Sequence, residues 1–187
     1  MSDDQALDVR LAFAGLTQED MSRLRAMKTV IAASIGPALD DFYQHVAARP
    51  ETSRLFNDPA HMAHAKDRQA AHWTVIGDAQ YGVEYARNVR AIGHAHARLG
   101  LEPRWYIGGY ARVTGHLVEA ALESLWPKGM FAKAEQREEA GHRIAAIVKA
   151  AMIDMDLAIS IYLDVLNDAR EKAEAEREAA RQEQAAA

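Results

Sequence analysis

The sequence contains no cysteine, and this absence excludes a whole group of sites. Disulfides, thiolate-bound zinc, iron–sulfur clusters and a cysteine nucleophile all require that residue. A metal ion bound by this chain would therefore have to be held by histidine or carboxylate side chains.

Glycine and proline are scarce, with 11 and 5 among 187 residues. They lie between long stretches in which apolar residues recur at helical spacing, and no stretch has the period-two alternation of a half-buried strand. The contents of 49% hydrophobic and 26% charged residues are typical of one folded globular domain. We therefore expect an all-α fold.

The chain also lacks a dense basic patch and a long apolar run. Its formal net charge is −5, and its first ten residues, MSDDQALDVR, are polar and acidic. No apolar run approaches the ~20 residues that a membrane span needs. The sequence thus predicts neither a nucleic-acid partner nor a membrane span, and we expect a cytoplasmic protein.

Turn signals divide the chain into consecutive helices. Thr17 can cap one helix while Asp20, three residues later, bonds back to it. Gly36-Pro37 predicts the end of that helix, and Gly100 is well placed to cap a later one. The predicted helices cover about residues 4–13, 17–35, 38–49, 51–56, 59–77, 81–99 and 103–126, followed by a last helix from about 133.

One histidine lies inside an apolar helix face. The members of this face, at spacings of three and four residues, are Tyr85, Val89, Ile92, His96 and Leu99. Periodicity leaves two interpretations of His96 open. It is either a core histidine bonded to a neighbour, or a metal ligand whose Nδ1 proton is accepted by the Ile92 carbonyl. His94 points to another face and cannot share the same metal.

A zinc site is a weaker alternative. His61, His64 and His72 lie on roughly one helix face, but they would need a fourth ligand, and no H-E-x-x-H pattern is present. A catalytic triad is weaker still, because no segment forms a strand-to-helix nucleophile elbow.

The run IGHAHARLGLEPRWYIGGY, residues 92–110, resembles the signature of the globin-coupled sensors, haem-binding domains related to protoglobins. In that family the histidine four residues before the glycine of H-x-R-[IL]-G-L-x-P-x-W is the proximal haem ligand. This position is His96 here. Phe42-Tyr43 is similar to the family's Phe-Tyr pair on the distal helix, and the resemblance continues in Gln69-x-x-His72-Trp73.

The resemblance covers about residues 5–165 and implies a globin fold with a short extra N-terminal helix, no D helix and a long C-terminal helix. It implies a sensor globin domain over 1–166 and a helical linker over 167–187 that leads to an output domain. The expected function is haem-based gas sensing: a haem b cofactor, O2 as the ligand with CO and NO as further candidates, a homodimer, and no catalysis.

Helical phase then indicates which side chains line the haem cavity. His96 is the expected iron ligand, and Tyr43 is the expected hydrogen-bond donor to the gas. The expected distal residues are Phe42, Tyr43, Phe56, Met62, Ala65 and Gln69, with Trp73 as a further candidate. The expected proximal residues are Val89, Ile92, His96, Leu99, Trp105, Tyr106, Tyr110 and Val113.

Three other functions stay open on the sequence. An oxygen carrier would share the fold, and a haem-free helical dimerisation module would share the helices without the cofactor. A haem peroxidase or dioxygenase would need a distal acid–base pair, for which His72 and Arg68 are the candidates.

The last helix carries more apolar surface than one core requires, since a single core needs a stripe only ~100° wide. We therefore expect a homodimer built mainly from the last two helices. Beyond residue 166 large apolar side chains disappear, which indicates a solvated helical tail or a coiled-coil linker with an alanine seam. The apolar band comprises Ile144, Ile147, Val148, Ala151, Met152, Met155, Ala158, Ile159, Ile161, Tyr162 and Leu166.

Overall fold

The computed structural model describes residues 3–127 and 133–186, and over these ranges the chain forms helices and no strand. The expectation of an all-α fold is therefore confirmed. The helices are α1 (Asp3–Phe13), α2 (Gln18–Ala26), α3 (Lys28–Ala47), α4 (Pro50–Ser53), α5 (Pro59–Asp78), α6 (Val83–Leu99), α7 (Pro103–Leu125) and α8 (Ala134–Ala186).

Local turn chemistry sets several of these bounds. The Thr17 hydroxyl accepts the Asp20 backbone N–H, and the Asp20 carboxylate accepts the Thr17 N–H, so the capping box is complete. Gly100 ends α6 in the left-handed conformation, with φ of 67°. The short α4 is the one helix between α3 and α5 in this part of the chain. A further short helix would be expected there if a D helix were present, so the structure agrees with the expectation of no D helix.

The predicted break at Gly36-Pro37 is wrong. Helix α3 continues through Pro37, and the break lies ten residues earlier at the fully buried Met27. The Met27 N–H bonds to the Arg23 and Leu24 carbonyls at 3.1 and 2.9 Å. A proline inside a helix costs about 3 kcal/mol. Burial stabilises each large apolar side chain by roughly 1.5–3 kcal/mol, and α3 buries Ile31, Ile35, Ala38, Leu39 and Val46.

The main packing pairs join α6 to α8, α3 to α7, α7 to α8 and α3 to α5. Helix α8 therefore supports the two helices that follow α5. Its inner face is buried as far as Tyr162, whereas every residue from 166 to 185 is exposed. Among the helices described, none has both the length and the apolar character needed to cross a membrane.

Candidate ligand-binding cavity

A cavity of about 570 Å³ lies between α3, α5, α6 and α7, and α4 and the turns beside it complete its wall. Its volume falls in the range of roughly 300–1,000 Å³ that is usual for small-molecule and cofactor sites. The wall is mostly apolar and aromatic, with polar groups from a few positions. The arrangement suits a large, mostly apolar organic ligand better than a small polar metabolite.

Most of the residues expected at the site lie on this wall, although their roles toward a ligand stay predictions. They come from α3, α5, α6 and α7 and, for Phe56, from the turn between α4 and α5. They are Phe42, Tyr43, Phe56, Ala65, Gln69, Trp73, Ile92, His96, Leu99, Trp105, Tyr106 and Tyr110.

Met62, Val89 and Val113 are not among the residues of the wall, and their contact with a bound ligand stays a prediction. Val89 and Val113 are 0% and 1% exposed and belong to the hydrophobic core. Helical phase gives the direction of a side chain but not the depth at which a cavity ends, and both residues lie past that end. His61, the neighbour of Met62 at the start of α5, lies on the wall together with the other α5 residues named above.

Four arginines on the wall were missed as a group: Arg49, Arg68, Arg104 and Arg112. Arg104 pairs with Glu102 and Arg112 pairs with Asp41, each at 2.6 Å. Arg49 and Arg68 have no acidic partner within residues 3–127 and 133–186. Arg49 lies just before α4, Arg68 lies on α5, and Arg104 and Arg112 lie on α7, so no single local sequence pattern joins all four.

His96 lies on the cavity wall and is mostly buried, as is His72. Burial lowers its pKa to about 4, so the imidazole is neutral at physiological pH. A neutral imidazole is the form that binds a metal. Its Nδ1 is buried and has no hydrogen-bond partner in the described part of the chain, so the bond expected to the Ile92 carbonyl is not formed. The Tyr106 ring packs edge-on against it, with centroids 4.9 Å apart.

Tyr43 lies on the part of the wall formed by α3, within an aromatic cluster. Its ring centroid is 5.0 Å from that of Phe42 and 6.1 Å from that of Phe56, both in edge-on contact. Burial raises the pKa of Tyr43 to about 12, so its hydroxyl stays protonated and can donate. Gly109 leaves space for the Phe42 ring, since a Cβ at this position would lie 2.9 Å from that ring.

The three histidines weighed as zinc ligands do not converge. His61 lines the cavity, His64 is exposed, and His72 Nε2 lies 2.9 Å from both carboxylate oxygens of Asp154. Among the described residues no group of three or more histidine, aspartate or glutamate side chains could hold a metal ion.

The helix order and the position of the cavity define a globin-class fold, and comparison with known proteins agrees. The globin domain of the Geobacter sulfurreducens globin-coupled sensor superposes with a TM-score of 0.70 at 21% identity, over 83% of this chain and 96% of that one. The ferric globin domain of E. coli DosC gives a TM-score of 0.54 at 13% identity, over 77% and 95%. At these identities the likeness shows the fold.

The sequence model of the Protoglobin family matches residues 3–168, and the chain belongs to this family. The resemblance to globin-coupled sensors is thereby confirmed. A relative from Halobacterium salinarum, named a haem-based aerotactic transducer, is 28% identical over 163 residues. The match covers 87% of this chain but only 33% of that protein, so the chain spans about a third of the relative's length.

Family membership also confirms haem as the cofactor that the sequence led us to expect. The residues present fit this group. The cavity has a suitable volume, its wall is aromatic and apolar, and one neutral histidine with an unbonded Nδ1 lies on it.

Proposed function

We propose that this chain is a haem-based O2 sensor domain that binds haem b in the cavity, where His96 would hold the haem iron. The observation that carries the proposal is the neutral, mostly buried histidine on the wall of a 570 Å³ aromatic cavity. When bound, haem supplies an iron atom that binds a diatomic gas reversibly. The protein would supply a histidine ligand, the shape of the cavity and its polarity.

His96 acts as the ligand through Nε2, while its Nδ1 is buried and makes no hydrogen bond within the described residues. Burial keeps the imidazole deprotonated, so proton competition at neutral pH does not weaken its ligation. The edge-on contact with Tyr106 limits rotation of the ring.

Arg49 and Arg68 hold the two propionate carboxylates of haem b. Both guanidinium groups border the cavity, both are exposed, and neither is committed to an acidic side chain in the described ranges. Arginine pairs with carboxylates through charge-assisted hydrogen bonds. Arg104 and Arg112 are less available because each already has an acidic partner.

Tyr43 would donate its phenolic hydrogen to O2 bound in the cavity. The hydroxyl remains protonated across the physiological range, and the surrounding aromatic rings exclude water that would compete for it. A hydrogen bond of this kind favours O2, which accepts it, over CO, which accepts weakly. O2 is therefore the proposed signal, with CO and NO as further ligands.

Sensing is favoured over oxygen storage by two observations. The H. salinarum relative is named an aerotactic transducer, and it extends well beyond the part that matches this chain. Helix α8 also continues as an exposed stretch from residue 166 to 185, which a carrier does not need. We accordingly assign residues 1–166 to the sensor domain and 167–187 to a linker toward an output domain. The chain then performs no catalysis itself, and its site of action is the cytoplasm.

A peroxidase or dioxygenase activity has less support. His72 lines the cavity, but its Nε2 is bonded to Asp154 rather than available to a distal ligand. Arg68 is exposed at the border of the cavity and suits a propionate better than a distal acid–base role.

The sensor acts as a homodimer joined along α8 and the end of α7. Ile147, Ala151 and Ala158 of the apolar band are used by the chain's own core. Val148, Met152, Leu163 and Leu166 are 37–47% exposed and recur with helical spacing on α8. Leu122 on α7 and Trp126 directly after that helix are also exposed. A second copy about a two-fold axis would bury this surface.

The proposal is tested on the purified full chain by absorption spectroscopy. We expect a Soret band with one haem per chain, and reversible shifts of the ferrous visible bands when O2 is added and removed. A chain that bound no haem would favour the dimerisation module. Rapid irreversible oxidation by O2 would argue against a reversible sensor.

A further inference from the structure

Helix α8 carries a carboxylate, Asp154, with no exposed surface. A buried carboxylate is unfavourable by several kcal/mol unless other groups compensate its charge. Here three donors do so. His72 Nε2 lies 2.9 Å from both oxygens, the Tyr85 hydroxyl donates to Oδ1 at 2.5 Å, and the Tyr110 hydroxyl donates to Oδ2. The donors come from α5, α6 and α7, so one side chain of α8 joins three other helices.

The direction of these hydrogen bonds is set by the environment. Burial, with the nearby Asp154 charge as the next cause, raises the pKa of Tyr85 and of Tyr110 well above the usual value. Both phenols are therefore protonated and donate. An ionised Asp154 only accepts, so His72 must carry its proton on Nε2 to bond with it.

The same network reaches the cavity. His72, Tyr106 and Tyr110 all lie on the cavity wall. The Tyr106 hydroxyl donates to the Tyr110 hydroxyl at 3.2 Å, and the Tyr106 ring packs against the His96 ring. A continuous series of contacts thus leads from the side chain of His96 to Asp154 on α8.

A backbone contact joins the same two regions independently. Gly93, one turn before His96 on α6, lies against α8 so closely that a Cβ there would be 2.9 Å from the Ala158 carbonyl oxygen and from the Ile161 Cβ. Helices α6 and α8 therefore meet four to seven residues after Asp154. A shift of α6 in this region has to be accommodated by α8 because there is no space between the two backbones.

We propose that Asp154 is a positioning residue that couples the cavity to α8, by holding the Tyr110–Tyr106 pair beside His96 while it anchors α8 to three helices. This inference rests on the proposed haem-sensing function. When the occupancy of the cavity changes, the hydrogen bonds that share Asp154 as acceptor change with it, and α8 responds because it carries that acceptor. The exposed continuation of α8 then carries the change away from the globin core.

The test is hydrogen–deuterium exchange on the haem-loaded ferrous full chain, with and without CO. In the wild type we expect amides of α8 near Asp154 to Tyr162 to exchange about 5–150-fold differently between the two states, the usual range of coupling between sites. Asp154→Asn removes the charge at nearly constant volume and should abolish that difference. Asp20→Asn is the matched control. Asp20 is also buried and contacts α8 through Lys149 at 2.9 Å, yet it is not on the cavity wall.

Tyr110→Phe removes a single donor and provides a milder second variant if Asp154→Asn does not fold. If the network only stabilises the fold, the variants should have lower melting temperatures, measured on the haem-free chain. They should then still show the difference in α8 amide exchange between the CO-bound and CO-free states. The coupling is contradicted if the wild type shows no α8 difference, or if a folded Asp154→Asn or Tyr110→Phe protein keeps it. Haem loading is read beforehand from the Soret band. A wild-type protein without a Soret band contradicts the proposed function. A normal Soret band together with either of the two α8 results above contradicts the coupling alone.

Discussion

Replacing Tyr43 by phenylalanine isolates the proposed hydrogen bond to O2. The substitution removes one oxygen atom and leaves the ring, so the contacts with Phe42 and Phe56 at 5.0 and 6.1 Å are retained. A hydrogen bond to a partly charged acceptor in a dry site contributes roughly 1–3 kcal/mol. Each 1.36 kcal/mol corresponds to a factor of ten, so O2 dissociation should become about 5–150-fold faster.

Stopped-flow O2 displacement and CO exchange on the same variant measure this prediction. CO dissociation should change much less than O2 dissociation. Because burial raises the pKa of Tyr43 to about 12, the O2 dissociation rate of the wild type should not vary across neutral pH. Equal changes for both gases would show that Tyr43 acts through cavity shape and would refute a hydrogen bond.

Thr74 and Gln69 are two other polar side chains on α5 with which the role of Tyr43 can be compared. The Thr74 hydroxyl donates to the Ala70 carbonyl at 3.1 Å, and Thr74 is not on the cavity wall. Thr74→Ala is therefore the matched control and should leave O2 dissociation unchanged. Gln69 does line the cavity, so Gln69→Leu is the comparison that separates its contribution from that of Tyr43.

Two further predictions concern the border of the cavity and the proposed dimer. Arg49→Ala and Arg68→Ala should each speed haem loss to apomyoglobin by up to about fivefold, with a smaller effect at high salt, because exposed ion pairs contribute only about 0.2–1 kcal/mol. Arg170→Ala on the exposed tail is the control. Equal rates of haem loss for all three variants would show that Arg49 and Arg68 do not contribute to haem binding. Light scattering on the wild type should give twice 20.6 kDa. Met152→Glu with Leu163→Glu should shift it toward monomer while Ala175→Glu does not, and a wild-type monomer at micromolar concentration would exclude the interface.

The sequence was sufficient for features that depend on local chemistry or on a short motif. Thr17 and Asp20 form the predicted capping box because both partners lie within one helical turn. The position of His96 on the cavity wall was predicted from its place in an apolar helix face and from the motif that continues to Trp105. The end of α5 illustrates the limit, since it is closed by Ala79 in the left-handed conformation, which no sequence rule favours for alanine.

Features that depend on distant residues could not be predicted. Pro37 reads as a helix end, but the buried residues on both sides of it keep α3 continuous. In the sequence, Asp154 is one polar position in a long helix. Its role could not be predicted because its donors are 44 to 82 residues away. Each donor is unremarkable in its own segment, and only the packing of four helices brings them to one carboxylate.

The central claim is that His96 holds haem, and its most direct measurement is the absorption spectrum of His96→Ala beside His94→Ala. His94 is two residues away on the same helix but exposed, so it matches His96 in residue type and differs in direction. We expect His96→Ala to lose stable haem or to regain a Soret band only with added imidazole, while His94→Ala retains the wild-type bands. A ferrous His96→Ala protein with the wild-type Soret and visible bands would contradict the assignment.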